Sequence, residues 1–174
     1  PPSPERFDVV VYGGNAAGVV AAVQAKRMGR SVVILEPGRR LGGLTSGGLG
    51  NTDIGNKGAI GGLSRRFYER IAVHYARPEA WVHETREAYE KRSAIGNQGH
   101  GRPDPLAART GVPTMWVFEP GVAEAILRGM AEEAGVVVRY RERLDLAGGV
   151  AKSGATLLSV RMESGRVYEG RAFV

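Results

Sequence analysis

Two short apolar runs open the chain. Phe7–Tyr12 (FDVVVY) and Ser31–Leu35 (SVVIL) are continuous and β-branched, which predicts strands covered on both faces. Between them, Asn15–Met28 carries Ala, Val and Gln at helical spacing, and Gly29 sits where a left-handed helix stop belongs. Strand, helix and strand in this order make a βαβ unit, whose strands are parallel. The pattern then breaks, and residues 37–62 are irregular and hold ten glycines. A stretch of that length without regular structure is usually functional. Helical period returns at Leu63–Ala76, with Leu63, Phe67 and Ile71 on one face and Ser64 in the first turn. A polar helix is predicted over Glu84–Ala94, a loop over Gly96–Pro113 and a short strand over Thr114–Phe118. Pro120–Ala134 reads as an amphipathic helix, with proline in its first turn and Gly135 after it. Val136–Tyr140 is a third strand of the parallel type. Leu144–Ala151, Ala155–Glu163 and Arg166–Val174 then read as antiparallel strands joined at Lys152-Ser153-Gly154 and Ser164-Gly165. The expected class is α/β: a Rossmann-like parallel sheet plus a three-stranded antiparallel meander.

Pro1-Pro2-Ser3-Pro4 has the composition of a linker, so residues 1–6 are read as a linker or processed start. Residues 7–174 are then one domain. Its last strand is still running at Val174, so the domain is expected to be truncated there and to belong to a longer chain. Composition narrows the class. Glycine supplies 26 of 174 residues, 14 of them between Gly13 and Gly62. There is no Gly-every-third repeat, which excludes collagen. The absence of cysteine excludes disulfides and thiolate chemistry. No apolar run reaches the length of a membrane span. The net charge of +6 comes from 20 Arg and 4 Lys against 18 acids. These bases are scattered, with no long basic run, so they read as a solvated surface and not as a nucleic-acid footprint.

The first βα turn is Gly13-Gly14-Asn15-Ala16-Ala17-Gly18. Against the dinucleotide fingerprint G-x-G-x-x-G, Gly13 and Gly18 match the first and third glycines, and Asn15 replaces the second. The first glycine makes a tight turn, the second lets backbone approach a pyrophosphate, and the third lets helix and strand pack closely. Asparagine tolerates left-handed dihedrals, and its amide has donors of its own for a phosphate. Glu36 closes the second strand 23 residues after Gly13. A carboxylate at that separation suits a ribose 2′-hydroxyl and repels a 2′-phosphate. The helix N-terminus supplies unpaired N–H groups and a positive dipole end for the diphosphate.

Where a nicotinamide-type domain continues into another crossover, this chain runs from Glu36 into Pro37-Gly38-Arg39-Arg40-Leu41-Gly42-Gly43-Leu44-Thr45-Ser46-Gly47-Gly48-Leu49-Gly50. A loop with so little side-chain bulk can lie against a flat ring. It resembles the Gly-Gly loop of FAD-binding domains in the glutathione-reductase-like superfamily. Residues 53–70 (DIGNKGAIGGLSRRFYER) and 114–120 (TMWVFEP) extend the likeness to the bacterial FAD-dependent oxidoreductase family, some members of which are labelled xanthan-lyase-like. That resemblance implies FAD as cofactor, redox chemistry on a small-molecule substrate, and a second FAD contact beyond Val174. It further implies that Gly13, Gly14, Asn15, Ala17 and Gly18 serve the pyrophosphate and Glu36 the adenosine ribose. Gly42, Gly43, Leu44, Thr45 and Ser46 would line the ribityl and flavin side. The backbone of Leu144, nine residues after Gly135, would sit by the adenine.

No catalytic residue is assigned from the sequence. His74, His83 and His100 match no metal-ligand spacing, and no metal is expected. His100, in the loop Gly96–Pro113, is the histidine best placed for a substrate. Asp53 and Lys57 read as solvated loop charges, Arg65 and Arg66 as an exposed helix face, and Trp116 and Phe118 as core. Two other readings stay open: an NAD-dependent dehydrogenase using the same fingerprint, and a non-catalytic dinucleotide-binding module. The expected partners are a small-molecule substrate and the remainder of a longer chain or a partner subunit, with no nucleic acid and no membrane.

Overall fold

The computed structural model describes residues 3–95 and 102–174. Its strands are β1 (Glu5–Tyr12), β2 (Val32–Glu36), β3 (Val137–Tyr140), β4 (Val150–Ser153), β5 (Thr156–Arg161) and β6 (Val167–Phe173). Its α-helices are α1 (Ala16–Arg27), α2 (Gly62–Tyr75), α3 (Arg86–Ile95), α4 (Pro105–Thr110) and α5 (Pro120–Glu133). All the strands join in one sheet of order β3-β2-β1-β6-β5-β4. β1 pairs in parallel with β2 on one side and with β6 on the other, and β3 pairs in parallel with β2. The β4–β5 and β5–β6 pairs are antiparallel.

The two apolar runs behave as their composition requires. In β2, Val32 and Ile34 face the helices while Val33 and Leu35 face away, and all four are buried. On the helical side α1, α2 and α5 bring Val19, Val23, Ile71 and Leu127 against β1 and β2. On the other side Val160, Met162 and Tyr168, from the antiparallel part of the chain, cover Val10, Val33 and Leu35. Burial on both faces is what permits a continuous β-branched run. From β1 the chain adds β2 and then β3 on one side, but β6 on the other. The C-terminal end of β1 is therefore a topological switch point, where open α/β sheets hold their ligands.

Four expectations need correction. β1 starts at Glu5, because Glu5 and Arg6 pair with Tyr168 and Glu169 of β6 and so belong to the sheet. The expected three-stranded antiparallel meander is present as β4–β5–β6, and β6 also pairs in parallel with β1. Residues 144–149 form a turn in place of a strand start. Asp145 accepts Ala147 N–H on its side chain and Gly149 N–H on its carbonyl, leaving only a Leu144–Met162 bridge. Thr114–Phe118 is not a strand, and Val117 makes one bridge to Asn51. Within Gly96–Pro113 the structure has a short helix, α4. Asp104 caps it by accepting Leu106 and Ala107 N–H, and Gly111 ends it at φ 70°.

Candidate functional site: the turn after β1

Gly13 leaves β1 with φ 108°, a conformation closed to side chains without strain. Its N–H donates to Leu35 O, which ties the turn to the end of β2. Gly14 follows, buried, and donates its N–H to Glu36 Oε2 at 2.7 Å. The other carboxylate oxygen, Oε1, accepts Gly38 N–H at 2.6 Å. Glu36 is thus held from both sides by backbone and remains partly exposed at the end of β2. A carboxylate has about four acceptor positions, so two amides leave room for ribose hydroxyls.

Asn15 answers the irregularity in the fingerprint. Its φ of −68° and ψ of 175° are extended, so no left-handed residue is needed here. Its Oδ1 accepts Gly18 N–H at 2.8 Å, making it the N-cap of α1. The carbonyl end of the side chain is spent on the helix, and only the NH₂ end is left to donate outward. A Cβ on Gly43 would lie 2.8 Å from the Cβ of Asn15. The side chain at 15 is accommodated because position 43 has none.

The Gly-Gly loop lies directly on the turn. Gly42 N–H donates to Gly14 O at 2.7 Å, and Asn15 and Gly42 form a parallel bridge. Gly43–Thr45 is a 3-10 turn, and Leu41 is fully buried beneath it. Ser46 turns inward, and its hydroxyl donates to Leu41 O at 2.5 Å. The hydroxyl proton is therefore given to the protein, which leaves the oxygen as an acceptor. Leu44 points the other way and is 76% exposed. Leu144 does reach this end of the sheet, where its N–H donates to the Tyr12 hydroxyl at 3.1 Å. Arg141 and Glu142 donate their N–H groups to Gly38 O and Glu36 O, running the chain after β3 alongside the acid. Gly13, Gly14, Asn15, Ala17, Gly18, Glu36 and Gly42–Ser46 are thus gathered at one end of β1 and β2, with Leu144 beside Tyr12.

Packing within the protein explains several of these glycines without reference to a ligand. A Cβ on Gly18 would fall on the carbonyl oxygen of Gly13 and 3.1 Å from Val11 Cγ1. Gly18→Ala should push α1 off β1 and lower stability by about 2 kcal/mol. Thermal melts check this, and an unchanged midpoint would show that the helix has slack here.

The sequence missed Tyr12, Gly38 and Leu41 as parts of the site. Gly38 had a signal, a Pro-Gly immediately after an acid that closes a strand. The candidate charges divide. Asp53 and Arg66 are exposed as expected, and Trp116 and Phe118 are core. Lys57 and Arg65 are buried, contrary to expectation. Arg65 lies 3.0 Å from Asp104 and 3.4 Å from Glu69, and Lys57 Nζ donates to Arg102 O at 2.7 Å. Burial lowers the Lys57 pKa, opposed by Asp104. Burial lowers that of His74 too, aided by Arg77, whose guanidinium lies 2.9 Å from Nδ1. His83 is exposed, 3.6 Å from Glu119, and His100 lies outside the described residues. Among the described residues no cluster of His, Asp or Glu suits a metal ion.

The turn thus presents a fixed carboxylate, a glycine-lined approach and an exposed helix start, the donor set that an adenosine diphosphate moiety requires. The fold is shared with solved flavoenzymes. The 3-ketosteroid-delta4-(5alpha)-dehydrogenase of Rhodococcus jostii superposes with a TM-score of 0.54 at 16% identity, over 98% of this chain and 45% of that one. The L-amino acid deaminase of Proteus vulgaris does so with 0.51 at 22% identity, over 99% and 47%. The chain therefore spans less than half the length of either. The FAD-dependent oxidoreductase dbaF of Emericella nidulans is 55% identical over 38 residues, 22% of this chain and 8% of that protein. Residues 8–174 match the family described as FAD dependent oxidoreductase, and this chain is a member of that family, whose cofactor is FAD.

Proposed function

We propose that this chain holds the adenosine diphosphate half of FAD in a flavoenzyme that oxidises a small organic substrate. The observation that carries this is the Glu36 carboxylate, fixed by Gly14 and Gly38 N–H beside the capped start of α1. In this reading Glu36 takes the ribose hydroxyls, and the backbone of Gly13–Gly18 takes the diphosphate. Gly42 and Gly43 bring the next loop alongside, and Leu144 sits at the adenine end. FAD, when bound, supplies a two-electron acceptor for a hydride from the substrate. The chain's own contribution is to bind and orient. Within the family we place it with the bacterial, xanthan-lyase-like members, on residues 53–70 and 114–120. The walls around the reacting carbon belong, in this reading, to the remainder of a longer chain or to a partner subunit. Among the described residues no helix is long and apolar enough to cross a membrane.

The experiment is a binding titration of the chain with FAD, FMN and NAD. A site built for adenosine and diphosphate should take FAD at least tenfold more tightly than FMN, which lacks the adenosine. Equal affinity for FMN would remove the reading, and tighter NAD binding would restore the dehydrogenase alternative.

A further inference from the structure

A cavity of about 390 Å³ lies where residues 48–51 run beside 115–120. None of Gly13–Gly18, Glu36 or Gly42–Ser46 lines it. Its wall is aromatic. Tyr75 at the end of α2, Trp81, and Tyr89 in α3 stand in a row with ring centroids 5.2 and 5.4 Å apart. The row is fixed, since Trp81 Nε1 donates to Tyr75 O at 2.9 Å. At one end the Tyr75 hydroxyl donates to Glu119 Oε2 at 3.1 Å and accepts Glu119 N–H at 3.0 Å. This reciprocal pair holds a carboxylate at the edge of the rings. Burial, with Glu119 beside it, pushes the Tyr75 phenol up to about 12, so it remains a donor.

The charges around the cavity favour one sign. Arg92 is its one guanidinium among the described residues. It is bound to Glu84 at 2.6 Å and lies over the Tyr89 ring, 5.6 Å from the centroid. Among the described residues Glu119 has no guanidinium partner, and its basic neighbour is the His83 ring at 3.6 Å. Two carboxylates, Glu84 and Glu119, thus line the cavity with one guanidinium. The ring faces are themselves negative and attract cations, as the placement of Arg92 illustrates. An anionic ligand would have to break the Arg92–Glu84 pair. A hard metal ion would find too few oxygens.

We infer that this cavity binds a small organic ammonium ion, with its charge against Glu119 and its apolar body along Trp81 and Tyr75. None of the residues assigned above to FAD lines this cavity, and its test uses no flavin. The unaltered chain is titrated by calorimetry with choline, its uncharged isostere 3,3-dimethylbutanol, and the anion 3,3-dimethylbutyrate. Choline should bind about tenfold more tightly than the alcohol, and the anion most weakly. Glu119→Gln keeps an acceptor for the Tyr75 hydroxyl and should erase the preference for choline. Trp81→Leu should weaken choline binding while thermal melts confirm folding. Equal binding of choline and the alcohol, tightest binding of the anion, or no binding of any of the three would overturn the inference. So would a choline preference that survives Glu119→Gln.

Discussion

Asp104→Ala should destabilise the protein by about 3–5 kcal/mol, the usual effect of removing one partner from a buried ion pair. The Arg65 side chain is 6% exposed and that of Asp104 is 9% exposed. One carboxylate oxygen takes the Arg65 guanidinium at 3.0 Å and the Thr114 hydroxyl at 2.7 Å. The other caps α4 through Leu106 and Ala107 N–H. Thr114 in turn accepts the Trp116 indole N–H at 3.0 Å. Alanine would leave Arg65 with Glu69 at 3.4 Å, uncap α4, and take the acceptor from the half-buried Thr114 hydroxyl. Chemical denaturation of the variant and of Asp104→Asn, which preserves the cap, separates the terms. A loss below about 1 kcal/mol for alanine would mean the network relaxes around the gap. The same carboxyl sets an acid limit. Burial alone would raise its pKa, but the Thr114 and Ala107 hydrogen bonds and the Arg65 charge bring it from 3.8 down to about 2. Its folded pKa lies below its unfolded one, so its contribution is fully present above about pH 4. That contribution fades as pH falls towards 2. Asp104→Asn should flatten this part of the acid-denaturation profile.

Glu36→Ala should weaken FAD binding by on the order of 100-fold. Hydrogen bonds to a charged acceptor contribute roughly 1.5–3 kcal/mol, and each 1.4 kcal/mol is about tenfold in affinity. The loss has two sources: the ribose hydroxyls lose their acceptor, and Gly14 and Gly38 N–H lose the group that shapes the turn. Glu36→Gln should be nearly as harmful despite its size. Both oxygens of Glu36 accept backbone N–H groups, so a glutamine amide must set its own NH₂ against one of them. Titration of folded variants, verified by circular dichroism, measures the effect. Unimpaired FAD binding by both variants would refute the assignment of Glu36.

The parts of the fold that were readable in the sequence share a local cause. β1, α1 and β2 are written as a continuous apolar run, a helical spacing and a second run. Glu36 follows from its separation from Gly13. What escaped depends on residues far apart in the chain. Arg65 looked like a solvated arginine on a helix because its neutralising acid stands 39 residues away. Lys57 is buried under Arg102 O for the same kind of reason. The short helix α4 was missed although Asp104-Pro105 and Gly111 spell its start and stop. Six residues are too few to show a period. Asn15 looked like a flaw in the fingerprint, and its compensation at Gly43 is visible only when two loops meet.

The pairing of β6 with β1 bears on how the molecule folds. Arg6 and Glu169, joined across that pair at 2.7 Å, are separated by 163 residues of sequence. Closing so long a loop costs entropy that is recovered only when the strands dock. Until then β1 has a bare edge of apolar residues next to the turn proposed to hold the cofactor, the kind of surface that aggregates or recruits chaperones. The switch point that opens room for a ligand is therefore also the seam of the sheet with the longest loop to close. Anything bound there early would act as a clamp on the unfinished sheet.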